Sequence, residues 1–509
     1  MRVTFRNVGG WSACAFALIV GISGCSSDSD PTDVTPGNDN DDDPAELSDG
    51  NDGQTPPAPY DQVSWSCEDV QADDPSNPAG VQGRLLQDGA GTLYYAFLKR
   101  AEPEVACDIA AFGGGPASAP RYDLFIATRS PGGGSFDLEE VDLVSDTAAP
   151  GFVSDPFGIG AALNGAGQPV LSVAAGGSGL FTCGSADLVV ATRTGSNAYN
   201  VATRADASSN FATVCDDDED EAGEVECCVQ GSACGSGTNV GPWSDVAIND
   251  GGQTAVVFTD FHNFADEDGQ SFQGVELWES SGGVSGVRPW SGLGRYAAAQ
   301  FAGDGSLVVA FTGYQGGGMF VVRRSGGERF VGVNGSARGD LFPGFRIGER
   351  IDMAVAPDGT LGIVFHAIAD RIGTEVEDLW YCESDDNGAT INTGIDCTIV
   401  ERESFLKVGG FPSLAYDSQS RPAISYNYCG PDNACSRDGL RYAWRDGTGK
   451  WWYFNVHNVD NNRSGQYTSL VIDPTTDAPT IAFHDQTRGA AMIATGAFDG
   501  GGSGPCAVQ

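Results

Sequence analysis

Pro412-Ser-Leu-Ala-Tyr-Asp-Ser-Gln-Ser-Arg-Pro-Ala-Ile-Ser-Tyr426 is a strand of mostly small residues, a tight polar turn closing at Ser420, and a second strand ending in an aromatic ring. Short runs of alternating character on either side of such a turn read as a β-hairpin. The same unit occurs at Leu85–Phe97, Ala161–Val173, Val246–Phe258, Ala299–Phe311, Met353–Phe365, Ser413–Tyr426 and Ser469–Phe483. Their turn residues are Gly91, Gly167, Gly252, Gly305, Gly359, Ser420 and Asp477, which lie 53 to 85 residues apart. Self-similarity on that scale marks a repeat architecture.

Each unit continues beyond its hairpin. Third strands are read at Asp123–Thr128, Asp187–Thr192, Gly274–Trp278, Asp378–Tyr381 and Gly439–Ala443, and fourth strands most clearly at Phe136–Val141 and Trp451–Val456. No helical period separates the units. Seven sets of four antiparallel strands predict an all-β, seven-bladed β-propeller, because stacking each sheet between two neighbours in a ring covers both of its apolar faces. Trp65–Val70 precedes the first unit but has the character of a fourth strand, so an N-terminal strand is expected to complete the last blade and close the ring. Small residues such as Ala297, Ala298, Ala299, Ala354 and Ala356 suit the crowded innermost strands. Two or three β-sandwiches are the competing architecture for the same turn spacing.

The repeat resembles the propeller repeats of secreted bacterial proteins, many without a known role, and the resemblance covers most of residues 62–509. Ser384-Asp-Asp-Asn-Gly-Ala-Thr-Ile391 is also similar to the Asp-box of sialidase-like propellers, with Ile391 in place of the usual tryptophan. In those families the box is a structural turn, so the resemblance implies blades rather than hydrolysis. Ile22-Ser-Gly-Cys25, after a short cationic start and an apolar run, resembles a bacterial lipobox, which implies lipidation of Cys25 and removal of residues 1–25. Ser26 after that cysteine favours outer-membrane sorting by the same resemblance. An ordinary secretory signal is the alternative. Residues 26–60, acidic and rich in Pro, Gly and Ser, read as a disordered tether, and the propeller is assigned to residues 61–509.

The chain carries 69 acidic and 27 basic residues, a net charge of -42, which argues against nucleic acid and against membrane contact other than through the lipid. Twelve cysteines remain after Cys14 and Cys25, an even number that reads as disulfides rather than zinc ligands. Cys429 is expected to pair with Cys435, Cys382 with Cys397, and Cys67 with Cys506 or Cys107. Cys183, Cys215, Cys227, Cys228 and Cys234 are left unassigned. No cofactor is expected. Asp216, Asp218 and Asp220 stand in an acidic run that offers calcium ligands, but without the spacing of a calcium loop, and a solvated loop is the competing reading.

The connections from second to third strands carry most of the excess length, so localised function is expected on that face. His366, Asn427 and His484 follow their second strands at equivalent places, and Asp260, His262 and Asp485 lie nearby; these six are the candidate binding residues. No G-x-S-x-G nucleophile motif occurs and no catalytic residue is assigned. The preferred reading is an envelope-anchored, monomeric, non-catalytic module recognising a glycan or protein partner. The alternative is a glycoside hydrolase or lyase of sialidase-like type; glycoside hydrolysis needs two carboxylates in a pocket, whereas the sialidase resemblance would imply an arginine triad and a Tyr/Glu pair, which the sequence alone does not locate.

Overall fold

The computed structural model describes residues 54–71, 74–106, 118–143, 158–176, 186–205, 242–265, 271–286, 294–313, 318–326, 330–335, 341–342, 346–371, 374–402, 408–429, 438–457, 463–498 and 506. They form seven four-stranded antiparallel sheets. Six of the sheets take their strands in chain order, and the seventh places Ser64–Gln71 outside Ala490–Ala497. The chain is an all-β, seven-bladed propeller, and the sandwich alternative is excluded.

The first strands of the seven blades are Ala79–Gln87, Ile159–Leu163, Asp245–Ile248, Gly294–Phe301, Arg346–Val355, Val408–Tyr416 and Ser464–Ile472. Each contacts the first strands of both neighbouring blades, the seventh touching the first, so these strands line the central channel. The turn residues read from sequence all adopt positive φ, from 58° at Asp477 to 93° at Gly359, the region where glycine costs least. In blade one the turn is held by Asp88, whose side chain accepts from the backbone N–H of Ala90 (3.0 Å) and Thr92 (2.7 Å).

Burial follows the period of two that a strand imposes. In the second strand of blade one, Tyr94, Ala96 and Leu98 pack toward blade two, while Leu93, Tyr95 and Phe97 pack toward blade seven. Every gap between adjacent blades holds such an apolar cluster, which is why no sheet is left with a wet apolar face.

Closure is both hydrogen-bonded and covalent. Ser66 pairs with Thr495 and Cys67 with Ala494 across the closing strand. Cys67 is disulfide-bonded to Cys506, so of its two expected partners Cys107 is set aside. Just before that strand Tyr60 stacks on Trp444 at 4.0 Å and its hydroxyl meets that of Tyr442 at 3.1 Å, fastening the segment that leads into the closing strand to blade six. Cys382–Cys397 joins the third and fourth strands of blade five as expected. Cys429 is also disulfide-bonded; Cys435 lies outside the described residues, as do Cys25, Cys183, Cys215, Cys227, Cys228 and Cys234. These disulfides are those of a chain that folds in an oxidising, extracytoplasmic compartment. Among the described residues no helix is long and apolar enough to cross a membrane.

The Asp-box-like segment is a turn between the third and fourth strands of blade five. Asp386 accepts from Ser384 Oγ at 2.7 Å and from the N–H of Thr390 at 2.9 Å, and Ile391, buried in place of the usual tryptophan, joins the core between blades four and five.

Candidate site at the channel mouth

Aligning the seven hairpins on their turn residues brings two levels of the channel into view. Seven residues before the turn, or eight in blade seven, stand Arg84, Gly160, Asp245, Ala298, Asp352, Ser413 and Ser469. At this level side chains bond the backbone of the next blade. Asp245 Oδ2 accepts from Ala299 N (3.0 Å), Asp352 Oδ2 from Leu414 N (2.9 Å), Ser413 Oγ from Leu470 N (3.1 Å) and Ser469 Oγ from Leu85 N (2.9 Å). Ser413 Oγ also donates to Asp352 Oδ2 at 2.9 Å. The result is a girdle that satisfies backbone N–H groups a closed sheet edge would otherwise leave exposed to the channel.

Arg84 breaks this pattern and spans the channel. Its Nε donates to Ile159 O in blade two (2.9 Å), Nη2 lies 3.6 Å from Asp245 Oδ1 of blade three, and Nη1 lies 4.0 Å from Asp352 Oδ1 of blade five. One guanidinium therefore ties four blades together and divides the channel. On one side is a polar cavity of about 120 Å³ bordered by Asp245, Asp352, Ser413 and Ser469. Burial pushes the Asp245 carboxyl above the ordinary range, opposed by the charge of Arg84.

On the other side, toward the long connections, lies the mouth. Two residues earlier in each repeat stand Gln82, Gly158, Trp243, Tyr296, Arg350, Phe411 and Tyr467, of which Gly158 and Trp243 lie just before their strands. Six of them, all but Arg350, have positive φ, from 50° at Trp243 and Phe411 to 121° at Gly158. Register shifts interrupt the pairing of first and second strands beside this level in blades one, four, five, six and seven. A β-bulge of this kind re-aims a side chain and is common at functional rims. Two aromatic pairs stand at this level: Trp243, just before the first strand of blade three, with Tyr296, ring centres 4.5 Å apart, and Phe411 with Tyr467, 4.6 Å apart. All four rings are half-buried. Arg350, from blade five, stands between the two pairs in blade order. It is 9% exposed and donates Nη1 to Thr468 O of blade seven at 2.9 Å. Burial, then the neighbouring Arg84, lowers its pKa to about 9. The pocket is lined by Trp243, Tyr296, Phe411, Gln82, Arg84 and Arg350, with no Asp or Glu among its described lining residues.

The candidate residues read from sequence sit one strand further out. His484 Nδ1 lies 2.7 Å from Ala79 O of blade one, and Asn427 Nδ2 donates to Ser464 O of blade seven at 2.8 Å. His366 is buried, with Nε2 3.8 Å from Glu377 Oε2. Asp485 is fully buried and accepts from Arg488 N at 3.1 Å. Burial lowers the pKa of His484 to about 4, so the ring is neutral at pH 7. These four side chains are not brought together at the mouth; Asn427 and His484 join neighbouring blades. Asp260 and His262 lie in the second strand of blade three, Thr254–Ala265, with side chains outside the described residues. Asp216, Asp218 and Asp220 lie outside them altogether, and among the described residues no group of three or more ligating side chains is placed to hold a metal. Sequence reasoning missed Arg84, Arg350 and the aromatic arc, although counting back from each turn residue would have gathered all of them.

No protein-family model matches the chain, and no curated protein matches it. Among solved structures it is similar to an alpha-L-arabinanase of Penicillium chrysogenum, at 10% identity and a TM-score of 0.44 over 85% of this chain and 97% of that one. It is also similar to an alpha-L-arabinofuranosidase of Fusarium graminearum, at 11% identity and a TM-score of 0.44 over 84% and 97%. A third is a protein of unknown function from Dyadobacter fermentans, at 11% identity and a TM-score of 0.41 over 85% and 98%. At these values the likeness is one of fold alone.

Proposed function

We propose that the protein is a non-catalytic glycan-binding propeller that takes the end of a sugar chain into the channel mouth. The observation that carries this reading is the arc of Trp243, Tyr296, Phe411 and Tyr467, all held at positive φ at the level above Arg84. Flat apolar faces with polar edges suit the C–H faces and hydroxyls of a sugar ring, and a concave site with few polar groups fixes its orientation. Because Arg84 closes the channel beneath, the pocket is a cul-de-sac and suits a chain terminus. Hydrolysis by a carboxylate pair is disfavoured because that mechanism needs both carboxylates on the substrate. Here Asp245 and Asp352 border the lower cavity and turn one oxygen each toward Arg84 and the other to backbone N–H groups.

The leader supports display on the cell envelope through a lipid on Cys25, with the acidic segment 26–60 as spacer. Mass spectrometry of the mature N-terminus tests that part, and an unmodified start beyond Cys25 would refute it. A glycan array probed with the full-length chain tests the binding reading. Trp243→Ala is expected to weaken the best glycan at least about tenfold, the scale of one lost aromatic contact surface. An array without binders, or unchanged affinity in a folded Trp243→Ala variant, would overturn it.

A further inference from the structure

Gln82 stands at the level of the aromatic arc in blade one, half-buried and at a φ of 57°, and it lines the mouth. Beside it blade two carries Gly158, where the other six blades carry side chains. An added Cβ on Gly158 would lie 3.8 Å from Gln82 Oε1 and 4.0 Å from Trp243 Cδ1, so the amide reaches over the glycine toward the indole ring. A primary amide holds two N–H donors and an acceptor oxygen side by side, and that of Gln82 bonds none of the described residues. The cations of the channel are different, because both are committed. Arg84 faces Asp245 and Asp352 and donates to Ile159 O. Arg350 donates to Thr468 O and interacts electrostatically with Asp352, Asp245 and Tyr95. Two guanidiniums are matched by two carboxylates, and these four are the charged residues that line the mouth and the cavity beneath it. An acidic ligand would compete with Asp245 and Asp352 for both cations, and it would approach a chain of net charge -42.

Resting on the reading of the mouth as a glycan site, we propose that the mouth takes an uncharged terminal pyranose and that Gln82 is its specificity-determining residue, bonding two adjacent ring hydroxyls. A hydroxyl both donates and accepts, so the amide oxygen of Gln82 accepts from one and an amide N–H donates to its neighbour. The C–H face of the chair lies on Trp243, next to the amide. An uncharged ligand leaves Arg84 and Arg350 with their carboxylates, and binding then strands no buried charge. A site whose amide bonds a sugar hydroxyl rejects an analogue without that hydroxyl, because the amide is left unpaired.

The experiment is calorimetric titration of the full-length protein with disaccharides ending in glucose, galactose or mannose, each set beside its uronic acid and its 3-deoxy counterpart. Removing the middle hydroxyl leaves no adjacent pair on the ring. At least one hexose is expected to bind about tenfold more tightly than its 3-deoxy form, the scale of one or two hydrogen bonds, and more tightly than its uronic acid. Gln82→Met keeps the length of the side chain without the amide and is expected to bind the hexose and its 3-deoxy form equally. Gln82→Asn, a residue that tolerates positive φ well, holds the amide one carbon further back and is expected to lose most of the preference. Melting profiles check that both variants fold. Equal affinity of the wild-type protein for hexose and 3-deoxy form, or a preference that survives in both variants, would overturn the role of Gln82 and leave the glycan site standing. A uronic acid that binds more tightly would overturn the uncharged ligand, and so would three silent hexoses beside other binders on the array. An array without binders would instead overturn the glycan reading itself.

Discussion

Arg84 and Asp352 approach each other across the channel axis from blades one and five, Nη1 and Oδ1 4.0 Å apart, and with Asp245 they join strands that lie far apart around the ring. A propeller is otherwise held by contacts between adjacent blades. This cluster is a fastening through the centre, and it also fixes the depth of the mouth above it.

Replacing Arg84 by methionine leaves two carboxylates in the channel without their cation. Removal of one partner of a largely buried ion pair costs about 3–5 kcal/mol. The expected result is a clear fall in the denaturant midpoint. A variant that also carries Asp245→Asn and Asp352→Asn is expected to regain part of the loss. Equal stability of wild type and Arg84→Met would show that the cluster contributes nothing.

Asn427 and His484 occupy the same place in blades six and seven and bond the first strand of the next blade. Burial lowers the pKa of His484 to about 4, and burial followed by Arg488 does the same for His457. The unfolded chain therefore binds more protons than the folded one between about pH 6.5 and pH 4. Stability is expected to be fully present above pH 6.5 and to decline toward pH 4, by about 3 kcal/mol per histidine at most. Urea titrations across this range in wild type and His484→Asn check it; the variant should show a shallower slope, since asparagine makes the same bond in blade six.

At Gly160 the channel girdle has no side chain, because an added Cβ would lie 2.4 Å from Ser172 Oγ and 2.7 Å from Asp245 Cα. Gly160→Ala is expected to lower stability by about 1–3 kcal/mol through overpacking. Ser469→Ala, which only removes the acceptor for Leu85 N, is expected to cost about 1–2 kcal/mol. Thermal unfolding of both variants decides whether the level is as tightly built as the distances indicate.

Cys67 and Cys506 are 439 residues apart, so their bond constrains nearly the whole unfolded chain. In the chain-entropy picture a closure longer than a hundred residues is worth about 5 kcal/mol. Cys67→Ser with Cys506→Ser is expected to fold in oxidising buffer but to unfold at markedly lower temperature, with proteolysis starting at the terminal strands of blade seven. An unchanged melting profile would mean that the pairing of Ser64–Gln71 with Ala490–Ala497 carries closure alone.

The fold was legible because it is written in local chemistry. Gly91, Gly167, Gly252, Gly305 and Gly359 announce turns with positive φ, and alternating residues such as Leu93 to Leu98 announce strands with two buried faces. The closing strand was legible for the same reason, as a fourth strand out of place. The site was not, because it depends on which residues meet across the ring. His366, His484 and Asn427 stood out by type and equivalent position, yet their column lies in the second strands, where side chains enter the gaps between blades. Arg84, Arg350 and Asp245 belong to the first strands, whose small residues suggested only crowding. Their meaning came from closure, which brings sequence-distant strands around one axis.

The most direct test is the crystal structure of the protein with a glycan selected on the array. Electron density for a terminal sugar between Trp243 and Phe411, above Arg84 and against Arg350, is the expected result. A ligand seated on the outer face of a blade, or density for a cleaved product beside Asp245 and Asp352, would contradict it.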